Sequence, residues 1–278
     1  MKLTGPAAAA ARQMLADPLY EVIPLSNLDE QVGHLPQAAK VTVTCSPSKG
    51  LDHTIDLAVG LAGRGLDAVP HISARQTRDH AHLVEVVERV QAAGITRAFV
   101  VGGDAQEPGE YPDGLSLLQD LTGLEGAPST LGVPGYPEGH AYIPEDKLWE
   151  ALAAKQRYAA YVATQLCFDP DAIVGWIRAA RSRGITLPVR VGLPAPVGVV
   201  KLTRIATRIG IGDSMRYLSK QQGLIGGLAK GGGFNPDPIL SGLAEAQAVD
   251  PELGIAGFHV FTFNEVDAVE RWRTGLAG

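Results

Sequence analysis

Polar side chains close many of the short apolar segments of this 278-residue chain. In chain order they include an acid, a hydroxyl, an imidazole, a second acid and an amide, namely Glu21, Thr44, His71, Asp104 and Gln165. Carboxyl groups and imidazoles transfer protons, and an amide offers both a donor and an acceptor to a flat polar ligand. The set predicts acid–base chemistry on a bound ligand, provided that the fold brings these segment ends together.

Glu21 is the candidate acid. It stands among Tyr20, Val22 and Ile23, where a carboxylate is costly to bury without a partner. One interpretation is a surface carboxylate on an irregular first strand. The other is an acid held in an apolar setting, where a raised pKa would suit proton donation.

Three further candidates each have a structural alternative. His71 is either a ligand contact or a core histidine bonded to backbone, and Asp104 is either a ligand contact or an ordinary turn aspartate. Gly102 and Gly103, just before Asp104, would let the backbone approach a ligand closely. Gln165 stands in a strand of small and apolar residues, so its amide needs a partner, which a ligand would provide.

The segments that carry these residues alternate with longer amphipathic stretches. The segments predict strands over Leu19–Ile23, Lys40–Cys45, Asp67–His71, Arg97–Val101, Thr130–Val133, Tyr161–Gln165, Pro188–Gly192 and Gly257–Thr262. The stretches predict helices that include Asp52–Gly63, Thr77–Ala93, Pro144–Arg157 and Pro170–Arg183. Asp52 and Thr77 are the predicted N-caps, and Gly94 and Gly184 the predicted C-terminal glycines. Such alternation implies a parallel sheet.

About eight βα units predict a single-domain α/β fold, a (βα)8 TIM barrel over residues 19–278, preceded by an N-terminal extension over residues 1–18. No GxGxxG or GxxxxGK[ST] pattern follows a strand, which disfavours an open nucleotide-binding sheet. Residues 211–249 hold two helix-like stretches, so we expect an enlarged helical connection between strands seven and eight. Because barrel enzymes work at the C-terminal ends of their strands, the polar candidates would converge there.

Composition excludes several partners. With 24 basic and 30 acidic residues the net charge is −6, so we expect no nucleic-acid partner. No run approaches the roughly 18 apolar residues of a membrane span. Cys45 and Cys167 stand far apart, so we expect neither a disulfide framework nor a metal site. The chain is interpreted as a cytoplasmic protein, with homo-oligomerisation left open.

The order of these segments resembles that of the methylenetetrahydrofolate reductase family, from about Tyr20 to about Trp272. The most specific pieces are Tyr136-Pro137-Glu138-Gly139-His140 and Thr164-Gln165-Leu166-Cys167-Phe168-Asp169. The others are Tyr20-Glu21-Val22-Ile23-Pro24, Val41-Thr42-Val43-Thr44, Pro70-His71-Ile72-Ser73, Gly103-Asp104 and Phe258-His259-Val260-Phe261-Thr262-Phe263-Asn264. The resemblance implies a (βα)8 barrel that carries FAD at its mouth and reduces methylenetetrahydrofolate with NADH or NADPH.

The resemblance also implies roles for individual residues. Glu21 matches the family's acid and would donate the proton that opens the five-membered ring of the substrate. Asp104 matches an aspartate near flavin and pterin, where its charge would favour a cationic iminium. Gln165 matches a glutamine that contacts the ligand stacked on the flavin. The positions that match flavin contacts are Thr44, His71, Gly103, Asp104, Tyr136, His140, Asp146 and Lys155.

The chain departs from the family's pattern at two charged positions. Family members usually have Arg, which reaches the flavin's phosphate or ribose, where this chain has Gly102, and commonly Arg where it has Glu265. The first departure leaves open a flavin-independent folate reductase with direct hydride transfer from nicotinamide, and a non-catalytic folate- or flavin-binding barrel is the third alternative. Lys201, Arg204 or Lys220 would replace the second arginine at the folate's acidic tail.

Overall fold

The chain forms a closed barrel of eight parallel strands in a computed structural model that describes residues 3–105, 107–198, 201 and 234–277. The strands are β1 (Leu19–Val22), β2 (Lys40–Val43), β3 (Asp67–Ser73), β4 (Arg97–Val101), β5 (Thr130–Gly135), β6 (Tyr161–Thr164), β7 (Val189–Pro194) and β8 (Ile255–Phe261). Each strand pairs with the next, and β8 closes against β1 with Leu19 opposite His259 and Glu21 opposite Phe261. The predicted (βα)8 barrel is confirmed.

Helices lie between the strands and precede the first of them. They are α1 (Gly5–Ala16), α2 (Leu28–Val32), α3 (Leu51–Gly63), α4 (His80–Ala92), α5 (Gly114–Leu121), α6 (Glu145–Lys155), α7 (Pro170–Ser182), α8 (Asp237–Val249) and α9 (Val266–Ala277). The predicted C-terminal glycines are confirmed, since Gly94 and Gly184 have φ values of 69° and 75° after α4 and α7.

The two predicted N-caps are wrong. α4 is capped by Asp79, whose carboxylate accepts a hydrogen bond from the His82 backbone N–H at 2.8 Å. The Thr77 hydroxyl is used elsewhere, because it donates to the Ser73 carbonyl oxygen at 2.9 Å. Asp52 lies in the first turn of α3, which begins one residue earlier.

The barrel interior is filled by a small apolar cluster. Leu19, Val69, Phe99, Tyr161 and Ala163 are buried there and pack on one another. A larger core lies between the strands and the surrounding helices. Since side chains occupy the middle of the barrel, a ligand would bind at an end of it rather than along its axis.

Charged side chains lie at the N-terminal ends of the strands. Asp17, just before β1, pairs with Lys40 and with Arg190, whose Nη2 lies 3.1 Å from Oδ2. The Arg97 Nε atom lies 2.9 Å from Asp67 Oδ2. These ion pairs join the first residues of β2, β3 and β4 to neighbouring charges, and leave the opposite end of the barrel as the candidate mouth.

Two remaining expectations concern the ends and the last connection. α1 buries Ala11, Met14 and Leu15 and packs against α8 and β8, while the proposed boundary at residue 18 stays a prediction. β7 ends at Pro194 and β8 begins at Ile255, but the helix-like stretches predicted over residues 211–249 lie largely outside the described residues, except for α8. Among the described helices, none has the length and apolarity that crossing a bilayer requires.

Candidate active site

Glu21 and two histidines converge at the C-terminal end of the barrel. The Glu21 carboxylate on β1 lies with its Oε2 2.8 Å from His259 Nε2 on β8 and 3.8 Å from His71 Nε2 on β3. The side chain of Glu21 is 12% exposed, and those of His71 and His259 are 8% and 2% exposed. Glu21 is therefore not a surface carboxylate, and the sequence-predicted residues Glu21 and His71 share one site.

The prediction that Glu21 has a raised pKa is wrong for this arrangement. Burial acts to raise the pKa of Glu21, but the hydrogen bond from His259 and the charges of His259 and His71 outweigh it, with a smaller contribution from the Thr44 hydroxyl. The pKa of Glu21 therefore lies below its ordinary value. The sequence argument assumed an apolar setting, and it missed the imidazole supplied by the last strand.

His71 is the uncharged member of the cluster. Burial lowers the pKa of His71 to about 4, against an opposing effect of the Glu21 charge. Its ring packs 4.9 Å from the Phe99 ring, and its Nε2 has no hydrogen-bond partner in the described part of the chain. His71 is thus not a core histidine whose Nε2 is satisfied by backbone, and this nitrogen is available to a ligand at the mouth.

His259 is the functional candidate that sequence reasoning missed. The alternation of Gly257, His259 and Phe261 along β8 was a usable signal, because alternate residues of a barrel strand face the same side. Its ring lies 5.7 Å from the Phe99 ring and 5.2 Å from the Phe261 ring. The imidazole is therefore held among aromatic rings, with Glu21 as its ionic partner.

The polar residues after β8 position β1. The Thr262 hydroxyl donates to the Glu21 carbonyl oxygen at 2.6 Å. The Asn264 amide exchanges two 2.9 Å hydrogen bonds with the backbone of Ile23, and Asn264 itself has a φ of 55°. These two side chains therefore fix the backbone from Glu21 to Ile23.

Thr44 lies beside the same carboxylate. Its hydroxyl donates to the Val22 carbonyl oxygen at 3.1 Å and contributes to lowering the pKa of Glu21. Thr44 thus joins Glu21 and His71 at the mouth, as the sequence predicted for residues at strand ends.

Gly103 and Asp104 form the end of β4. Gly103 has a φ of 86°, and a Cβ atom there would overlap the Ser73 hydroxyl oxygen, so the position requires glycine. Asp104 is exposed, and its charge reinforces burial in raising the pKa of Tyr136 to about 12. Asp104 and Tyr136 are therefore electrostatic neighbours at the ends of β4 and β5.

A cavity of about 470 Å³ opens beside these strand ends, between β4, β5, α5 and α6. Its lining includes the predicted residues Tyr136 and Lys155, with Gly102 and the first residues of α5. Burial lowers the pKa of Lys155, against an opposing effect of Asp113. Lys155 makes no hydrogen bond or ion pair within the ranges that the structure describes, so its ammonium is available to a ligand in this cavity.

The chemistry of this lining fits a phosphate-bearing cofactor such as FAD. The partly buried ammonium of Lys155 suits a phosphate, because it attracts negative charge. The carboxylates of Asp113 and Glu145 suit ribose hydroxyls. A Cβ atom at Gly102 would meet no atom within 4 Å, so a larger side chain has room there, and glycine leaves the cavity without the family's arginine.

The remaining predicted contacts lie at the rim. The His140 ring packs edge-on against Tyr136 at 5.2 Å. Asp146 is exposed in the first turn of α6, and its neighbours Glu145 and Lys147 line the cavity.

Gln165 follows β6, and its amide is already partly engaged. Its Oε1 accepts a hydrogen bond from the Leu166 backbone N–H at 2.8 Å. The sequence argument expected a ligand to supply both a donor and an acceptor. In the structure the backbone supplies the donor, and the amide NH₂ is the group that remains to contact a ligand.

Glu265 and Lys201 neutralise each other. Lys201 Nζ lies 2.6 Å from Glu265 Oε1, and both side chains are about 40% exposed. The acid at a position that is commonly basic in the family is therefore accompanied by a lysine, one of the three replacements that the sequence suggested. The other two, Arg204 and Lys220, lie outside the described residues.

The Glu21–His71–His259 cluster also has residue types that can hold a metal ion, with the candidate atoms within 4.8 Å of one another. A histidine that binds a metal ordinarily donates its other ring N–H to an acceptor. His259 Nδ1 has no such partner among the described residues, and its Nε2 already contacts Glu21 directly. We therefore assign no metal to this cluster.

The family model described as "Methylenetetrahydrofolate reductase" matches residues 24–211, more than half of the chain. The chain belongs to this family. The methylenetetrahydrofolate reductase match covers Asp104, Tyr136, His140, Lys155 and Gln165, whereas Glu21 and His259 lie outside the matched residues.

Curated members of the family are distant relatives of this chain. A "Probable methylenetetrahydrofolate reductase (NADPH)" of Caenorhabditis elegans is 28% identical over 51% of this chain and 22% of its own length. A "Methylenetetrahydrofolate reductase (NADH) 1" of Zea mays is 24% identical over 60% of this chain and 31% of its own length. A "Methylenetetrahydrofolate reductase 1" of Schizosaccharomyces pombe is 25% identical over 38% of this chain and 19% of its own length. The match spans less than a third of the length of each of these relatives.

Among solved structures, a putative lyase/mutase from Burkholderia cenocepacia J2315 matches with a TM-score of 0.49 and 15% identity. The match covers 99% of this chain and 86% of that one. The fold assignment rests on the closed strand order of the chain itself.

Proposed function

We propose that the chain is an oxidoreductase that interconverts 5,10-methylenetetrahydrofolate and 5-methyltetrahydrofolate, with hydride from NADH or NADPH and a bound FAD as carrier. Glu21 would act as the general acid. The observation that carries the proposal is the buried Glu21 carboxylate at the barrel mouth, in a chain that belongs to the methylenetetrahydrofolate reductase family. A mere binding protein has little use for a desolvated acid at that position.

The reaction needs a proton at one defined place. The ring C–N bond of methylenetetrahydrofolate breaks when its nitrogen takes up a proton, which leaves an electrophilic iminium to accept hydride. Glu21 would supply that proton in a site from which the barrel walls exclude most water, and this strengthens electrostatic interactions. The exposed Asp104 carboxylate, which follows β4, would stabilise the positive charge of the iminium.

Several residues would hold the cofactor and the pterin. Lys155 would neutralise a phosphate of FAD, Tyr136 and His140 would contact the flavin, and Asp146 would contact a ribose hydroxyl from the rim. Gln165 would donate its amide NH₂ to the pterin. When bound, the flavin would take up two electrons and a proton from the nicotinamide and pass hydride on to the folate.

One observation favours a second candidate, a flavin-independent reductase in which hydride passes directly from nicotinamide to folate. Gly102 lines the cavity with open space where an arginine would reach a phosphate. Loss of that charge-assisted contact should weaken binding of FAD. The two candidates share Glu21 and the folate, and differ in what occupies the cavity beside Lys155.

The deciding experiment follows the two half-reactions separately. Purified protein is loaded with FAD, reduced anaerobically with NADH, and then mixed with methylenetetrahydrofolate. We expect Glu21→Gln to retain NADH-dependent bleaching of the flavin and to lose about 10²- to 10⁴-fold in reoxidation by folate, as for loss of a general acid. The control is Glu30→Gln, at an exposed acid on α2.

Three outcomes count against parts of the proposal. Folate turnover by scrupulously flavin-free protein would favour the second candidate. Glu21→Gln with near wild-type folate turnover would remove Glu21 as the acid. A protein that binds FAD or folate but catalyses neither half-reaction would be a non-catalytic binding barrel.

A further inference from the structure

We infer that the cavity beside Lys155 selects dinucleotides whose adenosine ribose is unphosphorylated, so that it admits FAD or NADH and rejects NADPH. The inference rests on the proposed function and deepens it, because it says which carrier the cavity accepts. Membership of the family does not decide this point, since one curated relative is named for NADPH and another for NADH. In the flavin-independent candidate, where the nicotinamide dinucleotide would fill the cavity, the hydride donor would be NADH.

The charges that line the cavity carry the inference. They comprise three acids and two lysines, namely Asp113, Glu138, Glu145, Lys147 and Lys155. The Lys147 ammonium lies 2.7 Å from the Glu150 carboxylate, so its charge is already balanced. Within the described lining, Lys155 is thus the cation that has no ionic partner, and it suits the pyrophosphate that joins the two halves of a dinucleotide.

Carboxylates occupy the starts of the two helices that border the cavity. A helix N-terminus binds a phosphate through its unpaired backbone N–H groups. At the start of α5, the Asp113 carboxylate already accepts hydrogen bonds from the Leu115 and Ser116 N–H groups, at 2.8 and 3.0 Å. The first turn of α6 holds Glu145 and Asp146, whose negative charges repel an anion. A phosphate on the adenosine ribose would therefore meet carboxylates where it needs donors.

The same carboxylates suit the hydroxyl groups of an unmodified ribose. Asp113 uses Oδ1 for both of its helix-capping bonds, and Glu145 uses Oε1 to accept from Trp149 Nε1 at 3.1 Å. The second oxygen of each carboxylate makes no hydrogen bond to any residue that the structure describes. An anchored carboxylate with one free oxygen accepts hydrogen bonds from ribose hydroxyls and repels a phosphate at the same position.

The ribose and phosphate positions are neighbours in the cavity. Burial lowers the pKa of Lys155, and the nearby charge of Asp113 opposes this effect. A Cβ atom at Gly114, the residue after Asp113, would lie 3.5 Å from Lys155 Nζ. The spacing therefore suits the ADP part that FAD and NADH share.

The test compares NAD⁺ with NADP⁺ on flavin-free protein, since the two differ only in the phosphate on the adenosine ribose. Trp149 and Trp176 line the cavity, so quenching of tryptophan fluorescence reports binding there. We expect NAD⁺ to bind at least about tenfold more tightly than NADP⁺, because like charges that face each other disfavour binding. The difference should shrink as salt is added, since the carboxylates are exposed. Equal affinities, tighter binding of NADP⁺, or no binding of NAD⁺ would overturn the inference.

The matched variant is Asp113→Asn/Glu145→Gln, which removes both charges and keeps the hydrogen bonds that anchor these side chains. Asparagine caps a helix about as well as aspartate, and glutamine can still accept from Trp149. In this double variant the ratio of the two affinities should fall to within about threefold. Asp171→Asn, at an exposed acid in the first turn of α7 and outside the cavity lining, should keep the wild-type ratio. An unchanged ratio in the double variant would contradict the role of the two carboxylates.

Competition by FAD shows where NAD⁺ binds. FAD should displace NAD⁺, and Lys155→Met should weaken NAD⁺ and NADP⁺ to the same extent, because both contain the pyrophosphate. NAD⁺ that stays bound at saturating FAD would occupy a separate site, which would overturn the inference. Selection of NAD⁺ by a protein without folate turnover would support the inference and refute the proposed function. Folate turnover by a protein with equal affinities for NAD⁺ and NADP⁺ would do the reverse.

Discussion

A Cβ atom at Gly103 would overlap the hydroxyl oxygen of Ser73, because the ends of β3 and β4 approach each other closely at the barrel mouth. Gly103 also has a φ of 86°, a backbone conformation that side chains disfavour. The residue that follows is Asp104, so the position of this candidate carboxylate depends on a close backbone approach to Ser73.

Gly103→Ala should therefore lower the free energy of unfolding by about 2 kcal/mol or more, from backbone strain together with the overlap. Ser73→Ala alone should have little effect, because the Ser73 hydroxyl has no hydrogen-bond partner among the described residues. In the double variant we expect the steric part of the loss to be recovered while the backbone strain remains. Urea unfolding of all four proteins measures this, and strictly additive losses would contradict it.

The stability of the protein should fall as the pH falls below 6.5. The pKa of His71 is about 4 in the folded protein against 6.5 ordinarily, so between these values the unfolded chain binds the extra proton and stability is lost. Its full contribution is about 3 kcal/mol. The pKa of Glu21 lies below its ordinary value of 4.5, so its contribution is present above that value and is lost at lower pH.

Urea unfolding at pH 7.5, 6, 5 and 4.5 checks this dependence. In His71→Gln the loss of stability between pH 6.5 and 4.5 should shrink, while His34→Gln, a substitution of an exposed histidine, serves as the control. An unchanged slope in His71→Gln would show that other groups cause the pH dependence.

Restoring a cation at Gly102 should tighten binding of FAD. A side chain there meets open space in the cavity, and one charge-assisted contact to a phosphate corresponds to about a tenfold gain in affinity or more. Gly102→Arg should therefore bind FAD at least about tenfold more tightly by flavin fluorescence. The control is Gly60→Arg on the exposed face of α3, and equal affinities for the two variants would argue against a phosphate beside Gly102.

Lys155→Met should separate ligand binding from stability. The ammonium lowers the free energy of unfolding, since burial disfavours its charged form, so the variant should be at least as stable as the wild type. Its affinity for FAD should fall by about tenfold or more, with a weaker dependence on salt. Lys49→Met, at an exposed lysine, is the control. If Lys155→Met binds FAD as the wild type does, the cavity does not hold the phosphate.

The fold was predictable from local pattern, and the site only in part. The predicted strands match the observed ones to within about two residues at most ends, since apolar runs and turn glycines are local signals. The N-cap prediction for α4 was wrong because Thr77 and Asp79 are both suitable capping residues. The tertiary structure uses the Thr77 hydroxyl elsewhere and leaves Asp79 to cap the helix.

For the site residues, too, the local sequence identified candidates but not their contacts. Glu21 was found because an acid in an apolar run is conspicuous, and its environment was misjudged because the partner, His259, lies 238 positions away. Lys155 was found through the resemblance to the family, and the cavity that it lines lies between four separate elements. Local sequence marks residues that are unusual for their element, whereas pKa values and ligand contacts depend on which distant elements meet.

The pairing of Glu21 with His259 joins the first strand of the barrel to the last. During synthesis β1 leaves the ribosome long before β8 is translated, since chains grow at about 5–20 residues per second. Until β8 docks, Glu21 lacks both its imidazole partner and the Thr262 and Asn264 bonds that fix its backbone. A nascent or truncated chain therefore has no assembled acid. Catalytic competence would be acquired in one late step of folding, and any folate turnover would report that the barrel has closed.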